Sequence, residues 1–392
     1  MMKKTTRIAV IIIAALFLFL GLAGLYLDYL WFANLGYGST YVTLITNRYI
    51  LRFLAFFTFF LFLFANLFYA RRTVIDMTNL ALRQALMNTP VGNLISERKL
   101  ALFFAVVSLF FSFFITGNTG RHWFAARQFL AAKPFGIADP IFGKDAAFYV
   151  FSLPFLRFLY EYLFGMVFTA TLLIAALYFF TSPPEYSWKK LNFLYKGRGQ
   201  LSFLLAALFI LKAWSYRLNS LGLVHSSRGV AAGASYTDIH AQLPANNILT
   251  VLALLCALVL LANIFIKKPR IIIFSVAGLT AASLLLGSLY PAVVQKLQVE
   301  PNEFTREEEY IRYNIDFTRK AFGLDNIALK DFPAANTLTA ERLKNNREII
   351  NNIRLWDYRP LQDTFNQVQG IRPYYSFQEV DTDRYTVDGD YR

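Results

Sequence analysis

The stretch Ile248–Tyr290 reads ILTVLALLCALVLLANIFIKKPRIIIFSVAGLTAASLLLGSLY. It holds two apolar runs, Ile248–Ile266 and Ile271–Tyr290, parted only by Lys267, Lys268, Pro269 and Arg270. A helix rises ~1.5 Å per residue, so about 20 apolar residues match a hydrocarbon core of about 30 Å. Two such runs joined by a four-residue basic turn read as a helical hairpin through a bilayer. Working outward, five more runs of comparable length precede it: Ile8–Leu27, Leu51–Ala70, Leu100–Thr116, Phe158–Phe180 and Leu201–Leu218.

The expected fold class is therefore an all-α polytopic membrane bundle of seven transmembrane helices over residues 1–290. The start of an α+β extracytoplasmic domain is expected over residues 291–392. The chain is 56% hydrophobic, above the ~45–50% of soluble domains, and Phe alone occurs 40 times. The net charge of +14 is concentrated before Tyr290, and acids slightly outnumber bases beyond it. A basic membrane region with a mildly acidic tail is explained by loops held in the cytoplasm, not by nucleic acid. The single cysteine, Cys256, lies in the sixth run and excludes an intrachain disulfide.

Loop charge sets the expected orientation. Lys3, Lys4 and Arg7 precede the first run, which ends in Tyr26, Asp28, Tyr29 and Trp31 and not in a small-residue cleavage site. It reads as an uncleaved helix with a cytoplasmic N-terminus. Arg71, Arg72, Arg83, Arg98 and Lys99 occupy the second loop, and Lys189, Lys190, Lys196 and Arg198 the fourth. The basic turn after Ile266 is the sixth. Seven crossings from a cytoplasmic start then place Pro291 onward outside the cytoplasm. The Gly197–Gly199 segment reads as a turn in the fourth loop.

Polar groups within the runs are the candidate membrane residues. Lys212 and Arg217 fall in the fifth run, where a charge at the centre costs about 2.5–3.5 kcal/mol. They either snorkel beside Trp214 and Tyr216 or form a polar pathway or buried ion pair, with Glu161 as a partner for Lys212. Asn66 and Asn263 are expected to hydrogen-bond to neighbouring helices.

Two loops carry more than connection. In the third, Trp123, Ala126 and Leu130 share one face of a short helix expected at the outer interface. The turn-rich Asp139–Asp145 follows, and the whole loop is expected to pack on the bundle. The fifth loop holds His225, Asp238 and His240, a candidate outer-loop cluster that offers metal-ligand chemistry or hydrogen bonding within a structured loop. No phosphate loop, nucleophile elbow, His-Glu-x-x-His or paired-cysteine motif is present. No cofactor is expected.

Beyond Pro301, Thr305-Arg306-Glu307-Glu308 fits a capping box, with Ile311, Ile315, Thr318 and Phe322 as the buried stripe and Gly323 as the stop. A second helix is expected over Thr339–Leu355, with Pro360 ending the pattern. Asp388-Gly389 between Tyr385–Val387 and Asp390–Tyr391 is a hairpin signal. Two helices and half a hairpin make a poor independent core, so the chain reads as the N-terminal piece of something longer.

These segments resemble a known family. DYLWFANLGYG (Asp28–Gly38), DPIFGKDAAFYVFSLPFL (Asp139–Leu156), GASYTDIHAQLP (Gly233–Pro244), NEFTREEEYIRYNIDFTRKAFGLD (Asn302–Asp325) and VDTDRYTVDGDYR (Val380–Arg392) are similar to the large bacterial integral membrane proteins of the uncharacterised (UPF) family 0182. The resemblance implies a multi-pass membrane location and a large external domain, and it supplies no catalytic residues. Three functions fit the sequence: a non-enzymatic membrane anchor or scaffold for that domain in the cell envelope, a transporter or channel, or a membrane enzyme acting on lipid-linked substrates. The expected partners are the lipid bilayer and other envelope proteins met through the external domain.

Overall fold

In the computed structural model the described residues are 4–77, 97–181, 193–332, 334, 338–353, 357–369, 374, 376–381, 383 and 385–391. The loop residues Arg83, Lys189 and Lys190 lie outside them. The chain divides into two compact units, Met1–Leu324 and Asp325–Arg392.

The first unit is helical. It contains α1 (Lys4–Asn34), α2 (Gly38–Met77), α3 (Glu97–Ile115), the short α4 (Trp123–Leu130), α5 (Leu153–Thr181), α6 (Phe193–Gly222), α7 (Leu243–Ile266), α8 (Pro269–Leu284), α9 (Tyr290–Val294) and α10 (Glu303–Ala321). Among the described residues six helices are long and apolar enough to cross a membrane, and α1 covers the first apolar run in addition. Their outward faces carry Phe53, Phe57 and Leu61 on α2 and Val251, Leu254 and Leu258 on α7, all exposed. An apolar belt of this extent would be an aggregation surface in water and is compatible with lipid.

The core lies where α2, α5, α6 and α7 meet. Phe59, Leu63 and Leu67 of α2 pack with Ala170 and Ile174 of α5 and with Leu201 and Leu204 of α6. On α7 the buried residues Ala245, Leu249, Ala253 and Ala257 recur every fourth position. The alanines of this stripe let α6 approach closely, a packing mode common to helices that associate in lipid. The span containing α6 is 56% buried, against at most 28% for the others, so α6 is the central helix.

The Gly197–Gly199 segment is not a turn, contrary to the expectation. It lies inside α6. A Cβ at Gly197 would overlap the Tyr178 ring, so the glycine serves close helix packing and not chain reversal. Arg198 donates to the Lys267 carbonyl. The basic turn of Lys267–Arg270 does form. Lys267 adopts the left-handed conformation at φ +58°, and Asn263 holds the turn by accepting the Lys268 N–H at 2.9 Å.

Among the described residues four π-helical turns, Phe148–Ser152, Asp238–Gln242, Leu285–Leu289 and Gln295–Val299, interrupt the helices. Each ends two residues before a proline: Pro154, Pro244, Pro291 and Pro301. A proline has no N–H, and its ring collides with the carbonyl four residues back. Widening the preceding turn moves that carbonyl aside. Helical turns therefore follow one another from Pro269 through Pro291 and Pro301 to Ala321, with a non-helical backbone at Asn302 (φ −144°, ψ 50°).

That succession corrects the expected capping box. α10 already begins at Glu303, after a 3₁₀ turn over Glu300–Asn302, and its Asn302 N-cap makes no side-chain bond. Thr305 sits inside the helix. Glu308 pairs instead with Arg312 at 3.4 Å. The expected stripe is also corrected: Ile315 and Phe322 are exposed, and the inward face is Glu307, Tyr310, Ile311, Asn314 and Phe317. Gly323 ends the helix at φ +65°.

The second unit contains α11 (Ala340–Asn345), α12 (Arg347–Asn351), α13 (Tyr358–Gln369), β1 (Thr386–Val387) and β2 (Asp390–Tyr391). The Thr339 side chain caps α11 by accepting the Arg342 N–H. The single helix expected over Thr339–Leu355 is broken at Asn346, and residues 354–356 lie outside the described set. Pro360 lies in the first turn of α13 and does not end a helix there. The hairpin forms as expected, with Thr386 opposite Tyr391 and Val387 opposite Asp390. Asp388 and Gly389 supply the positive φ of 54° and 87° that a two-residue reversal requires.

Candidate functional site

At one end of the first unit the segments after α4, between α6 and α7, and along α10 come together. The first segment is shaped by two aspartates. The buried Asp139 carboxylate accepts the N–H groups of Ile141, Phe142 and Lys144 at 2.8–3.0 Å and the Tyr149 hydroxyl at 2.7 Å. Asp145 accepts the N–H groups of Phe135, Gly136 and Ala147 at 2.8–2.9 Å. These bonds, that from Phe135 first, hold the Asp145 carboxyl below the ordinary carboxylate range. Rings then seat the segment on the bundle: Phe129 stacks on Phe155 at 4.8 Å and Phe135 meets Phe151 edge-on at 5.4 Å.

The second segment is built around Asp238, which is 1% exposed. One oxygen accepts the Ser235 N–H and hydroxyl at 3.1 and 2.9 Å. The other lies 3.1 Å from Arg228. Arg228 also donates to the Gln242 side-chain oxygen at 3.2 Å. The Gln242 amide donates to the Asn246 oxygen and to the Gly287 carbonyl, both at 3.3 Å. Gly287 lies four residues before Pro291, so its carbonyl is one that the proline cannot satisfy.

Helix α10 docks on this loop through Glu307. Its side chain is almost fully buried, and both carboxylate oxygens accept the Tyr236 N–H at 3.1 Å. Arg306 lies over the Tyr236 ring and donates to its hydroxyl at 3.1 Å. Asn314 donates to the Ala232 carbonyl at 2.6 Å, and Thr237 to Gln295 at 2.5 Å. A cavity of about 160 Å³, lined by Asp139, Val224, Ala234, Tyr310, Asn314 and Phe317, joins all three segments.

The three residues of the outer-loop cluster are not gathered around one point. His225 meets the Tyr149 ring edge-on at 6.0 Å. His240 lies on Tyr236 at 4.2 Å and 3.3 Å from the Tyr310 hydroxyl. Asp238 is held by Arg228 and Ser235. No group of three His, Cys, Asp or Glu side chains able to hold a metal occurs among the described residues.

The membrane candidates are likewise dispersed. Lys212 is half-buried, with its ammonium over the Tyr216 ring at 5.3 Å. Glu161 is exposed and makes no ion pair with it. Arg217 donates to Asn247 at 3.2 Å. Asn66 bonds back to the Phe62 carbonyl and accepts from Gln200 of α6 at 3.3 Å. Asn263 donates to Ser202 of α6 at 3.0 Å.

The sequence reading gave no role to Arg228, Ser235 or Gln242 and assigned Glu307 to a helix start. The first three look like ordinary loop polarity until the chain folds. Glu307 left one trace: with Tyr310, Asn314 and Phe317 it keeps the 3-4-3 spacing of one helical face, a face of aromatic and amide groups suited to a polar dock.

The segments that meet here, Asp139–Leu156, Gly233–Pro244 and Asn302–Asp325, are three of those that carry the family resemblance. The sequence pattern described as Uncharacterised protein family (UPF0182) matches residues 5–392. A UPF0182 protein of Moorella thermoacetica is 41% identical over 367 residues, covering 92% of this chain and 40% of that relative. One from Desulforamulus reducens is 38% identical over 384 residues, covering 94% and 41%. One from Pelotomaculum thermopropionicum is 38% identical over 406 residues, covering 100% and 44%. The chain thus spans about two fifths of the length of these curated relatives. No solved structure matches it. On the extent of these matches, the chain belongs to the uncharacterised protein family UPF0182.

Proposed function

We propose that this chain is a seven-span plasma-membrane anchor and scaffold that fixes how a large extracytoplasmic domain leaves the bilayer. The N-terminus is cytoplasmic, α1 is the first crossing, and the α+β domain that follows α10 lies outside. The supporting observation is the Glu307 dock. A helix that leaves an apolar region with no lateral contact can swing, whereas α10 is tied to the loop between α6 and α7 by a buried carboxylate. The one N–H shared by both oxygens makes a single charge-assisted bond, a kind that contributes about 1.5–3 kcal/mol. The scaffold presents the external domain to partners in the cell envelope.

The alternatives draw less support. A transporter or channel needs a hydrophilic route, and the cavity of about 420 Å³ beside Lys212 is walled by Phe164, Phe168, Leu208, Phe209 and Leu279. An enzyme acting on lipid-linked substrates would use a convergent cluster, and His225, Asp238 and His240 have separate partners.

Single cysteines introduced as Lys189→Cys and Arg319→Cys, each in a Cys256→Ala background, test the arrangement with a membrane-impermeant maleimide. Position 319 is expected to label in intact cells and position 189 only after permeabilisation. Labelling of both from the same side would overturn the reading.

A further inference from the structure

Next to the α10 dock lies a second cavity with a different chemistry. It has a volume of about 270 Å³ and is walled by Arg157, Asn219, Gly222, Arg228, Asp238, Gln242 and Asn246. Arg157 stands one residue before the apolar run of α5, and Asn219 and Gly222 stand just after that of α6. The cavity therefore sits where the apolar stretches stop, at the depth of lipid headgroups.

Its charges do not cancel. Arg228 is engaged by Asp238 at 3.1 Å and by Gln242 at 3.2 Å. Arg157 makes no ion pair among the described residues, and its guanidinium lies against Gly222, where a Cβ would overlap it. Two guanidinium groups and one carboxylate leave one positive charge. Asn246 adds a second, independent sign. It is 3% exposed, its oxygen is taken by Gln242, and its buried Nδ2 has no acceptor among the described residues. Buried amide donors are almost always satisfied. The relay from Asp238 through Arg228 and Gln242 orients the amide so that its oxygen is occupied and its N–H₂ is left over.

We propose that this cavity binds a phosphate oxyanion, held by the fork of Arg157 and the Asn246 amide, with Arg228 as the second cationic wall. Planar guanidinium groups match phosphate oxygens in pairs, and the leftover amide supplies the third donor. The phosphate belongs either to a lipid headgroup or to a free anion. The site does not depend on the anchoring role, since membrane orientation and anion binding are read by separate measurements.

The test uses the full chain, purified in a non-ionic detergent and titrated in parallel with phosphatidylglycerol and with inorganic phosphate. Binding is followed by native mass spectrometry and by the shift in unfolding temperature. One equivalent of phosphate-bearing ligand is expected to bind. Lipid alone would mark a headgroup site, and displacement of the lipid by inorganic phosphate would mark a general phosphate site. Arg157→Gln is expected to weaken binding about tenfold, the equivalent of one charge-assisted bond, and the isosteric Asn246→Asp to weaken it at least as much. Arg217→Gln, outside the cavity, leaves it unchanged. Should Arg157→Gln fail to fold, Arg157→Lys, which keeps the charge but not the fork, replaces it and is expected to bind with intermediate strength. Failure of both probes to bind, or equal binding by wild type and both cavity variants, would overturn the proposal.

Discussion

The Gln242 side-chain amide donates to the Gly287 carbonyl at 3.3 Å, four residues before Pro291. The proline leaves that carbonyl without its helical donor, and a side chain from the neighbouring helix supplies one. An unsatisfied buried carbonyl costs about 1–3 kcal/mol. Gln242→Leu is expected to lower stability by about that amount, and by clearly less in a Pro291→Ala background, where the helix N–H returns. A double-mutant cycle on thermal melts in detergent reads the coupling. Equal costs in the two backgrounds would show that the pair is independent.

Glu307→Ala removes the acceptor for the Tyr236 N–H and should cost about 2 kcal/mol. Its local signature is faster proteolysis within residues 226–237, since the loop loses its tie to α10. Glu307→Gln keeps one acceptor oxygen and is expected to lie between the two. Unaltered cleavage in the alanine variant would mean that the loop is held by other contacts.

Asp145 gives a pH dependence with a definite sign. Its carboxyl is depressed in the folded chain by N–H bonds led by Phe135. The ionised form is therefore the one that stabilises the loop. Its contribution is complete above the ordinary carboxylate value of about 4 and is lost as pH falls through the lower folded value. Hydrogen exchange at Phe135, Gly136 and Ala147 should accelerate on acidification through that range. Asp145→Asn should show the fast exchange at neutral pH.

Lys267 occupies a left-handed conformation at φ +58°, which costs a residue with a Cβ about 1–2 kcal/mol. Lys267→Gly should raise the melting temperature by relieving up to that amount, less the added freedom of glycine in the unfolded chain. A fall in melting temperature would indicate that the lysine side chain outweighs the backbone strain.

The apolar runs were legible because a bilayer-length stretch of Leu, Ile, Phe and Ala admits few structures. So were the reversal at Asp388-Gly389 and the stop at Gly323, each set by neighbours in the chain. What went unread involved partners distant in sequence. Gly197 looked like a turn because its reason, the Tyr178 ring, lies on another helix. Thr305-Arg306-Glu307-Glu308 looked like a cap because the widened turn before Pro301, which carries helical turns up to α10, has no signature beyond the proline. For His225, Asp238 and His240 the sequence left a metal cluster and hydrogen bonding within the loop both open, because spacing along a loop does not report direction.

The sequence by itself determined that most of this chain is helix with apolar faces, since helix length and residue type act locally and along one dimension. Only the tertiary structure decided that Glu307 meets Tyr236, that Gln242 completes the bond missing at Pro291, and that Arg157 and Asn246 face one cavity. Each of these pairs joins groups on separate elements, and their energy depends on distance and burial, which exist only once the helices have packed.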